Sequence, residues 1–591
     1  MCKIRDIYAG KPDAKDEVTF DGIQKFIEAF IIPENFNLDS LITGDKMFIT
    51  GYKGTGKTAL LHYLDSQIDK KFSKAFSSFI FFKGDFPDSK LSELDELSKK
   101  LFSYITFDDA VIRTGNDFEC IWRWLFYQRI IEDNESFSFS LFENDKNWKD
   151  FKKELDAISF TKKKRWLFIP DKIKFSCPLT TPETGVNLAP EFELNFYDSN
   201  VFETENYRRF SEIINQADKK FEKLTRTDSA YYIFVDELEA YFADEDVFCR
   251  DLKIIRDLIF TVKLLNSCFL KFAAKTKIIC SVRTEILKAI NRFIIPKELN
   301  KVTSGYEAAL IWDYTNTNSF SHPILKILTK RILMAEKNKC TEKELINKWF
   351  PSKINRIDTA HYILNNSWNK PRDIVRLILT AQNSLCATNT MFDQSTFDTI
   401  QKRYSLESLT EIKEELRALY SSDEIQNIVS LFTGFKIHFT IEDLKERIDS
   451  YFPDFTLRNK ITQLLNDLYR VGFVGNWCDG AFRWQHRGDD ELIINSDWKI
   501  RIHNALIQAL SLNTQNLNRV EKAKVYDVKI MKKEQDKLIV CYQEGNDKQW
   551  GHIKISPKSS FYPFLKEGNN VKARYEKYDE FKKIHILKLI Q

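Results

Sequence analysis

Apolar positions gather into runs of strand length at Met47 to Thr50, in SSFIFFKGDF (77–86), in SAYYIFVDELEAYF (229–242) and in KTKIICSVRTEIL (275–287). Runs without polar alternation suit strands covered on both faces, so these read as buried parallel strands. Helical patterns lie between and beyond them. One covers Ile23 to Ile32 and is ended by Pro33, one covers about 57–70, and an aromatic one reads FECIWRWLFYQRII (118–131). Another lies in SWNKPRDIVRLILTAQNSL (367–385), where Pro371 suits a first turn and Asp373 the positive end of a helix. Its apolar face is Ile374, Val375, Leu377, Ile378 and Leu385. The interval 100–228 is longer than a compact α/β domain needs between its strands. It predicts an inserted subdomain, with strand-like pieces at KRWLFIP and FELNFY.

Residues 422 to 500 carry three helical patterns, IQNIVSLF, TIEDLKERI and TLRNKITQLLNDLYRVG, then strands FVGNW and AFRWQHR joined by CDG. That is the order of a winged helix. Its third helix would be the reader, with Arg458 and Lys460 near the start and Arg483 and Arg487 on the wing as phosphate contacts. Few basic residues mark it as a dedicated DNA reader, and protein docking is the competing use. After the polar linker LNTQNLNRVEKA (512–523), five strand-like pieces follow: KVYDVKIM, KLIVCYQE, QWGHIKI, NVKARYEK and KIHILKLI. Five short strands so closely spaced predict a small barrel.

Composition narrows the class. A chain of 591 residues exceeds one core and predicts three to five domains. With 48 Phe and 11 Trp against 18 Gly and 14 Pro, large aromatic cores and few flexible linkers are expected. No uninterrupted apolar segment approaches the ~20 residues that span a bilayer, and MCKIRDIYAGKPDAKDE has no apolar signal core. The expectation is a cytoplasmic protein without a membrane partner. Ten cysteines without a C-x-x-C pair indicate neither a zinc ribbon nor a disulfide framework. The net charge is only +4, yet residues 511–591 hold 17 Lys and Arg against 10 Asp and Glu, so the tail is the basic part.

The first apolar run stops at Gly51 and opens GYKGTGKTA, with Gly51, Tyr52, Lys53, Gly54, Thr55, Gly56, Lys57, Thr58 and Ala59 as the candidate nucleotide-binding loop. Strand, glycine loop and helix follow in the order of a P-loop. Its amides and the helix N-terminus face phosphates, Lys57 reaches the β/γ oxygens, and the Thr58 hydroxyl can ligate Mg²⁺. The third run ends in Asp236 and Glu237: one carboxylate to hold Mg²⁺ through its water shell, the next to orient and activate the attacking water. The fourth run ends with Ser281 and Arg283, where a polar group can sense the γ-phosphate. Arg283 has three readings: a phosphate contact in its own subunit, a finger toward a neighbour, or a partner of Glu285 or another acid. Arg372 at its helix start is free to aim at a ligand, or is a surface residue beside a cap.

Together GYKGTGKTAL, IFVDE, SVRTEIL with ELNKVTSGYEAALIW, and NKPRDIVRLI resemble a bacterial AAA+-like P-loop ATPase family, FunZ-like and linked in part with phage defence; AGKPDAKDE is similar to its lead-in. The resemblance covers roughly residues 8–510. It implies an α/β P-loop NTPase core of AAA+/ASCE type over 1–330 with a helical lid over 331–420; the residue patterns add a winged-helix-like domain over 421–511 and a small OB-like β-barrel over 524–591. It carries over Lys57, Thr58, Asp236 and Glu237 directly, with Arg283 and Arg372 as sensor arginines. The tail, through Gly551, Ile553, Phe561, Gly568 and Val571, resembles a cold-shock OB fold. Such folds stack bases on aromatics beside cations, and the candidates are Trp550, His552, Phe561 and Tyr562 with Lys554, Lys558 and Lys572. The expected cofactors are ATP and Mg²⁺. The expected partners are single-stranded DNA or RNA, further copies of the chain, and a separate effector protein.

Overall fold

A computed structural model describes residues 2–34, 36–92, 94–95, 118–136, 140–156, 204–240, 245–271, 275–294, 299–312, 320–336, 341–478, 481–489, 491–494, 497–513, 525–544, 547–554, 562–579 and 584–589. The chain forms two compact units, Met1–Ile428 with Phe452–Ala509, and Val429–Tyr451 with Leu510–Gln591.

The first unit is built on five strands, β1 (Phe48–Gly51), β2 (Ala75–Phe81), β3 (Ala230–Leu238), β4 (Thr276–Arg283) and β5 (Glu307–Ala309), in the order β2-β3-β4-β1-β5. Every pairing is parallel. Alternate residues of each strand enter cores on opposite faces. Tyr231, Ile233 and Val235 join one with Ile278 and Cys280; Tyr232 and Phe234 join the other with Ile279, Leu60 and Leu64. Coverage on both faces is why the strands read as unbroken apolar runs. One strand, β4, separates the strand β1 that leads into the glycine loop from the acidic strand β3. The register sets Gly51 beside Arg283 and Phe81 beside Asp236, so the chemically interesting ends share one edge of the sheet.

The described part of the predicted insertion is no separate body. Helices Glu119–Ser136, Lys146–Asp156 and Thr204–Phe221 run through it, and Trp122, Phe126, Tyr127, Trp148, Phe151 and Phe221 share a core with β3, β4 and the helix Glu245–Lys271. The aromatic excess of FECIWRWLFYQRII thus covers one face of the central sheet. KRWLFIP and FELNFY lie outside the described residues.

Helices Pro323–Ala335, Glu342–Trp349, Thr359–Asn365, Pro371–Ser384 and Gln394–Leu416 follow the sheet. Asp373 fixes the start of Pro371–Ser384: its carboxylate accepts the backbone N–H groups of Trp368 (2.7 Å) and Lys370 (3.2 Å) and pairs with Arg376 at 2.6 Å. The predicted winged-helix span is divided between the units, because its third helix and hairpin pack with the first. Helix Ile461–Arg470 buries Asp467, which accepts from Tyr420 (2.7 Å), Arg292 (3.2 Å) and Arg470 (3.1 Å). Trp368 donates its indole N–H to the Gly472 carbonyl at 2.8 Å and stacks on His503 with centroids 4.2 Å apart. A Cβ at Gly472 would meet that indole at 2.5 Å, so only glycine fits this joint. Val474–Cys478 pairs antiparallel with Ala481–Arg483 and with Lys499–Ile502, shorter than the predicted AFRWQHR strand.

In the second unit, Phe432, Phe435 and Phe439 pack together beside helix Ile441–Tyr451, whose inner face is Leu444 and Ile448. Strands Val525–Lys533, Lys537–Glu544, Asp547–Lys554, Asn570–Asp579 and Ile584–Leu589 close into a barrel, joined first-second-third-fifth-fourth and back to the first. Val528, Ile530, Leu538, Val540, Tyr542 and Ile553 fill it.

Candidate functional site

At the shared edge of the sheet is a cavity of about 310 Å³. The loop after β1 has Gly54 at φ +81 and Gly56 at φ +89, left-handed backbone that favours glycine, and Gly56 starts helix Lys57–Lys71. Lys53, Gly54, Gly56, Lys57, Thr58 and Ala59 line the cavity. Gly51, Tyr52 and Thr55 brace it from behind. Lys57 donates Nζ to the carbonyls of Gly51 and Tyr52, both at 2.9 Å, Thr55 donates its hydroxyl to the Tyr52 carbonyl at 2.8 Å, and Trp312 donates its indole to the Thr55 carbonyl at 2.8 Å. Burial lowers the Lys57 ammonium to about 8, with Glu285 and Asp236 working in the opposite direction. Glu285 also accepts the backbone N–H of Lys53 at 2.9 Å, fixing the loop from the helix that follows β4.

The acidic strand carries its own distortion. Val235 pairs with Cys280 but Leu238 with Val282, so β3 has one residue too many at Asp236 and Glu237. This bulge throws Glu237 to φ +59, a conformation a glutamate holds only under constraint. Both carboxylates line the cavity. Burial, then the adjacent Asp236, raises the Glu237 carboxyl to about 7, where a base is poised for work near neutrality.

Asp236 is 3% exposed and accepts a hydrogen bond from Ser281 through Oδ1, while its buried Oδ2 has no protein partner. An orphaned, buried carboxylate oxygen is costly unless a cation or ligand completes it. Among the described residues there is no cluster of three His, Cys, Asp or Glu side chains able to cage a metal. Mg²⁺ is typically held by one or two protein groups together with substrate phosphates. Asp236 and the Thr58 hydroxyl are the groups that would hold it.

The sensor candidates line the same cavity but are paired within the protein. Arg283 bonds Glu239, not Glu285, and Lys83 shares that carboxylate at 3.5 Å. Arg372 donates to Glu411 at 3.1 and 3.4 Å. Further wall residues were silent in the sequence because they lie far apart in the chain. Pro12, Phe26, Phe30 and Ile31 form an apolar wall with Ile327 and Val375. Gly10, at φ +72, lets the N-terminal strap approach Glu17 and Arg331. Glu17 accepts from the Tyr8 hydroxyl at 2.8 Å, the Lys11 N–H at 3.1 Å and Arg331 at 3.4 Å, and Arg331 also bonds the Ala9 carbonyl. Gln382, on helix Pro371–Ser384, holds the strap by donating to the carbonyls of Ile4, Arg5 and Ile7 at 2.8–3.3 Å.

The nucleic-acid candidates fall in two places, around helix Ile461–Arg470 and on the barrel. Arg458 and Lys460 are exposed, but lie in a one-turn 3₁₀ segment before the third helix. Arg483 pairs with Asp489 at 3.5 Å, and Arg487 donates to Asn365 at 3.1 Å. On the barrel, the register aligns Lys529, the buried Cys541 and Trp550 across three strands, then Ile539 with His552 and Lys537 with Lys554; Lys529, Trp550 and Lys554 are exposed. Trp550 is 50% exposed. Tyr562 has Lys533 over its ring at 3.8 Å and donates its hydroxyl to the Glu534 carbonyl at 3.3 Å, so one ring face is already covered. Lys572 is exposed beside Asp527, and Phe561 and Lys558 lie outside the described residues.

The pattern of a FunZ-associated C-terminal helical domain matches residues 322–413, the helices from Pro323 to Leu416. Among solved structures, the crystal structure of Cdc6p from Pyrobaculum aerophilum aligns over 82% of this chain and 96% of its own, at 10% identity and a TM-score of 0.29, a likeness too slight to bear on function. No curated protein matches. Among the described residues, no helix is long and apolar enough to cross a membrane.

Proposed function

We propose that this chain is a Mg²⁺-dependent ATPase of AAA+-like type. The observation that supports this most is the assembly of Lys57, Thr58, the half-satisfied Asp236 and the bulge-mounted Glu237 around one cavity. The loop amides and Lys57 hold the phosphates, and the apolar wall with Phe26 and Ile327 takes the base. A bound Mg²⁺ ion would neutralise charge on the phosphate oxygens. Glu237 takes the proton of the attacking water, and Ser281 keeps the neighbouring Asp236 carboxylate oriented. ATP turnover by the purified protein, with Lys57→Ala as the blank, tests the reading. A wild-type rate no higher than that blank refutes it.

Exposed Trp550, Lys554 and Lys529, with half-buried His552 between them, favour a second element: coupling of the ATPase to single-stranded DNA or RNA through the barrel, read as an OB-like fold. A basic tail beside that aromatic supports it. Defence against phage is the setting the family resemblance suggests. A nucleotide-switched oligomeric scaffold acting through a partner effector and a replication loader are the alternatives. Measuring turnover with single strands, duplex and RNA at low salt, where phosphate contacts are strongest, separates them. Stimulation by single strands supports the coupled reading, sequence-specific duplex binding the loader, and indifference to all nucleic acid with ATP-dependent assembly the scaffold.

A further inference from the structure

Lys53, Lys83, Arg283, Arg331 and Arg372, which line the cavity from outside the P-loop helix, are each held by a carboxylate. The most developed case joins the loop to helix Gln394–Leu416. Lys53 bonds Glu414 and lies 4.0 Å from Glu411, and Glu411 also takes both hydrogen bonds from Arg372. One turn along, Lys370 pairs with Glu415 at 2.7 Å. Arg372 is close to the phosphate loop: a Cβ on Gly54 would stand 3.4 Å from its own Cβ. Although burial works against it, Arg372 and Lys53 hold the Glu411 carboxyl below its usual value, so it is ionised and bound to them near neutral pH.

The pairs are fitted to one another. Two cations at the mouth of a phosphate loop meet two carboxylates on one helix face, at positions 411 and 414, where i and i+3 side chains are neighbours. These carboxylates would repel a triphosphate as long as they stand opposite it. Nη1 of Arg372 serves both Glu411 oxygens, so a phosphate that takes this nitrogen takes it from Glu411.

We infer that Glu411 and Glu414 act as an internal stand-in for a terminal phosphate, so that Arg372 and Lys53 exchange partners when a triphosphate arrives and the site thereby distinguishes it from a diphosphate. This rests on the ATPase reading above. The loop amides cradle the inner phosphates of either nucleotide, and only the outer phosphate competes with Glu411 for the arginine. Glu411 is therefore a specificity-determining residue that weakens ATP binding selectively, and the exchange frees helix Gln394–Leu416 from the loop.

The test is a thermodynamic cycle. ATP and ADP dissociation constants are measured by titration calorimetry for wild type, Glu411→Gln, Arg372→Ala and the double variant, with thermal melts to show that each folds. Glu411→Gln is expected to tighten ATP by about three- to tenfold, the scale of one partly exposed ion pair, and to change ADP by less than about twofold. In the Arg372→Ala background the same substitution should have little effect on ATP, because the competitor acts through that arginine. Equal tightening of ATP and ADP, or an undiminished effect without Arg372, overturns the inference while leaving the nucleotide site standing. A wild-type protein that binds neither nucleotide removes the site and this inference together. Glu414→Gln gives a second, milder variant should Glu411→Gln not fold.

Discussion

Glu237 offers a substitution in which stability and activity should move in opposite directions. Its backbone sits at φ +59 because of the bulge, a placement that costs a non-glycine residue about 1–3 kcal/mol. Its carboxyl titrates near 7 rather than 4.5, chiefly through burial. That shift corresponds to at most about 3 kcal/mol against the ionised form, and solvent access at this partly exposed group screens it to roughly 1–2 kcal/mol. The sign follows from proton binding. Between pH 4.5 and 7 the folded protein retains a proton that the unfolded chain has lost, so the destabilisation is absent below 4.5, grows through that window and is complete above 7. Glu237→Gln should therefore stabilise the nucleotide-free protein at pH 8 but hardly at pH 4.5, and Glu237→Gly should add about 1 kcal/mol at both by accepting the positive φ. Both should lose about 10²- to 10⁴-fold in ATP turnover while still binding ATP. Scanning fluorimetry at the two pH values, beside a phosphate-release assay, provides the readings. A glutamine variant that turns over ATP normally would end the role assigned to Glu237, and one no more stable than wild type at pH 8 would end the account of its environment.

Lys57 loses its charge as pH rises through about 8 in the nucleotide-free site, so ATP affinity measured by calorimetry should fall between pH 7 and 9, and Lys57→Arg should flatten that fall. Trp550→Ala should weaken single-strand binding by about 1–3 kcal/mol in a filter or anisotropy assay and leave the melting of the barrel unchanged, because the indole is half exposed and outside the core. Gly10→Ala places a Cβ 2.5–2.6 Å from Arg331 and Glu17 at a φ of +72, and should cost about 1–3 kcal/mol and weaken nucleotide binding as the strap is pushed away, read by melting and ATP titration.

The legible parts of this molecule were those in which one short segment carries its own explanation. β1, β2, β3 and β4 announced themselves as apolar runs because both faces of each are covered, and the P-loop because its glycines and lysine have fixed spacing. The barrel was legible from strand spacing alone. What escaped were features made by residues distant in the chain. The strap held by Tyr8, Glu17, Arg331 and Gln382 has no local signature, and neither does the Arg372–Glu411 pair, separated by 39 positions. β5 is only three residues, Glu307–Ala309, too short for any periodicity. The bulge was hidden because Asp236 and Glu237 look the same in a straight strand as in one carrying an extra residue. The third helix of the expected winged helix is a different case. Its pattern was clear, but a pattern cannot say that Asp467 on it is committed to Tyr420 and Arg292.

The strand order has a consequence for how the protein is made. β1 is flanked by β4 and β5, whose first residues are Thr276 and Glu307. On the ribosome, at about 5–20 residues per second, the phosphate-loop strand is extruded tens of seconds before either neighbour exists, with both edges open to any other strand it meets. The cavity closes later still, since its walls run from Lys11 to Glu414. ATP can therefore stabilise the growing chain only once it extends past Glu414, and until then it must be shielded by its own helices or by chaperones while β4 slides between β1 and β3.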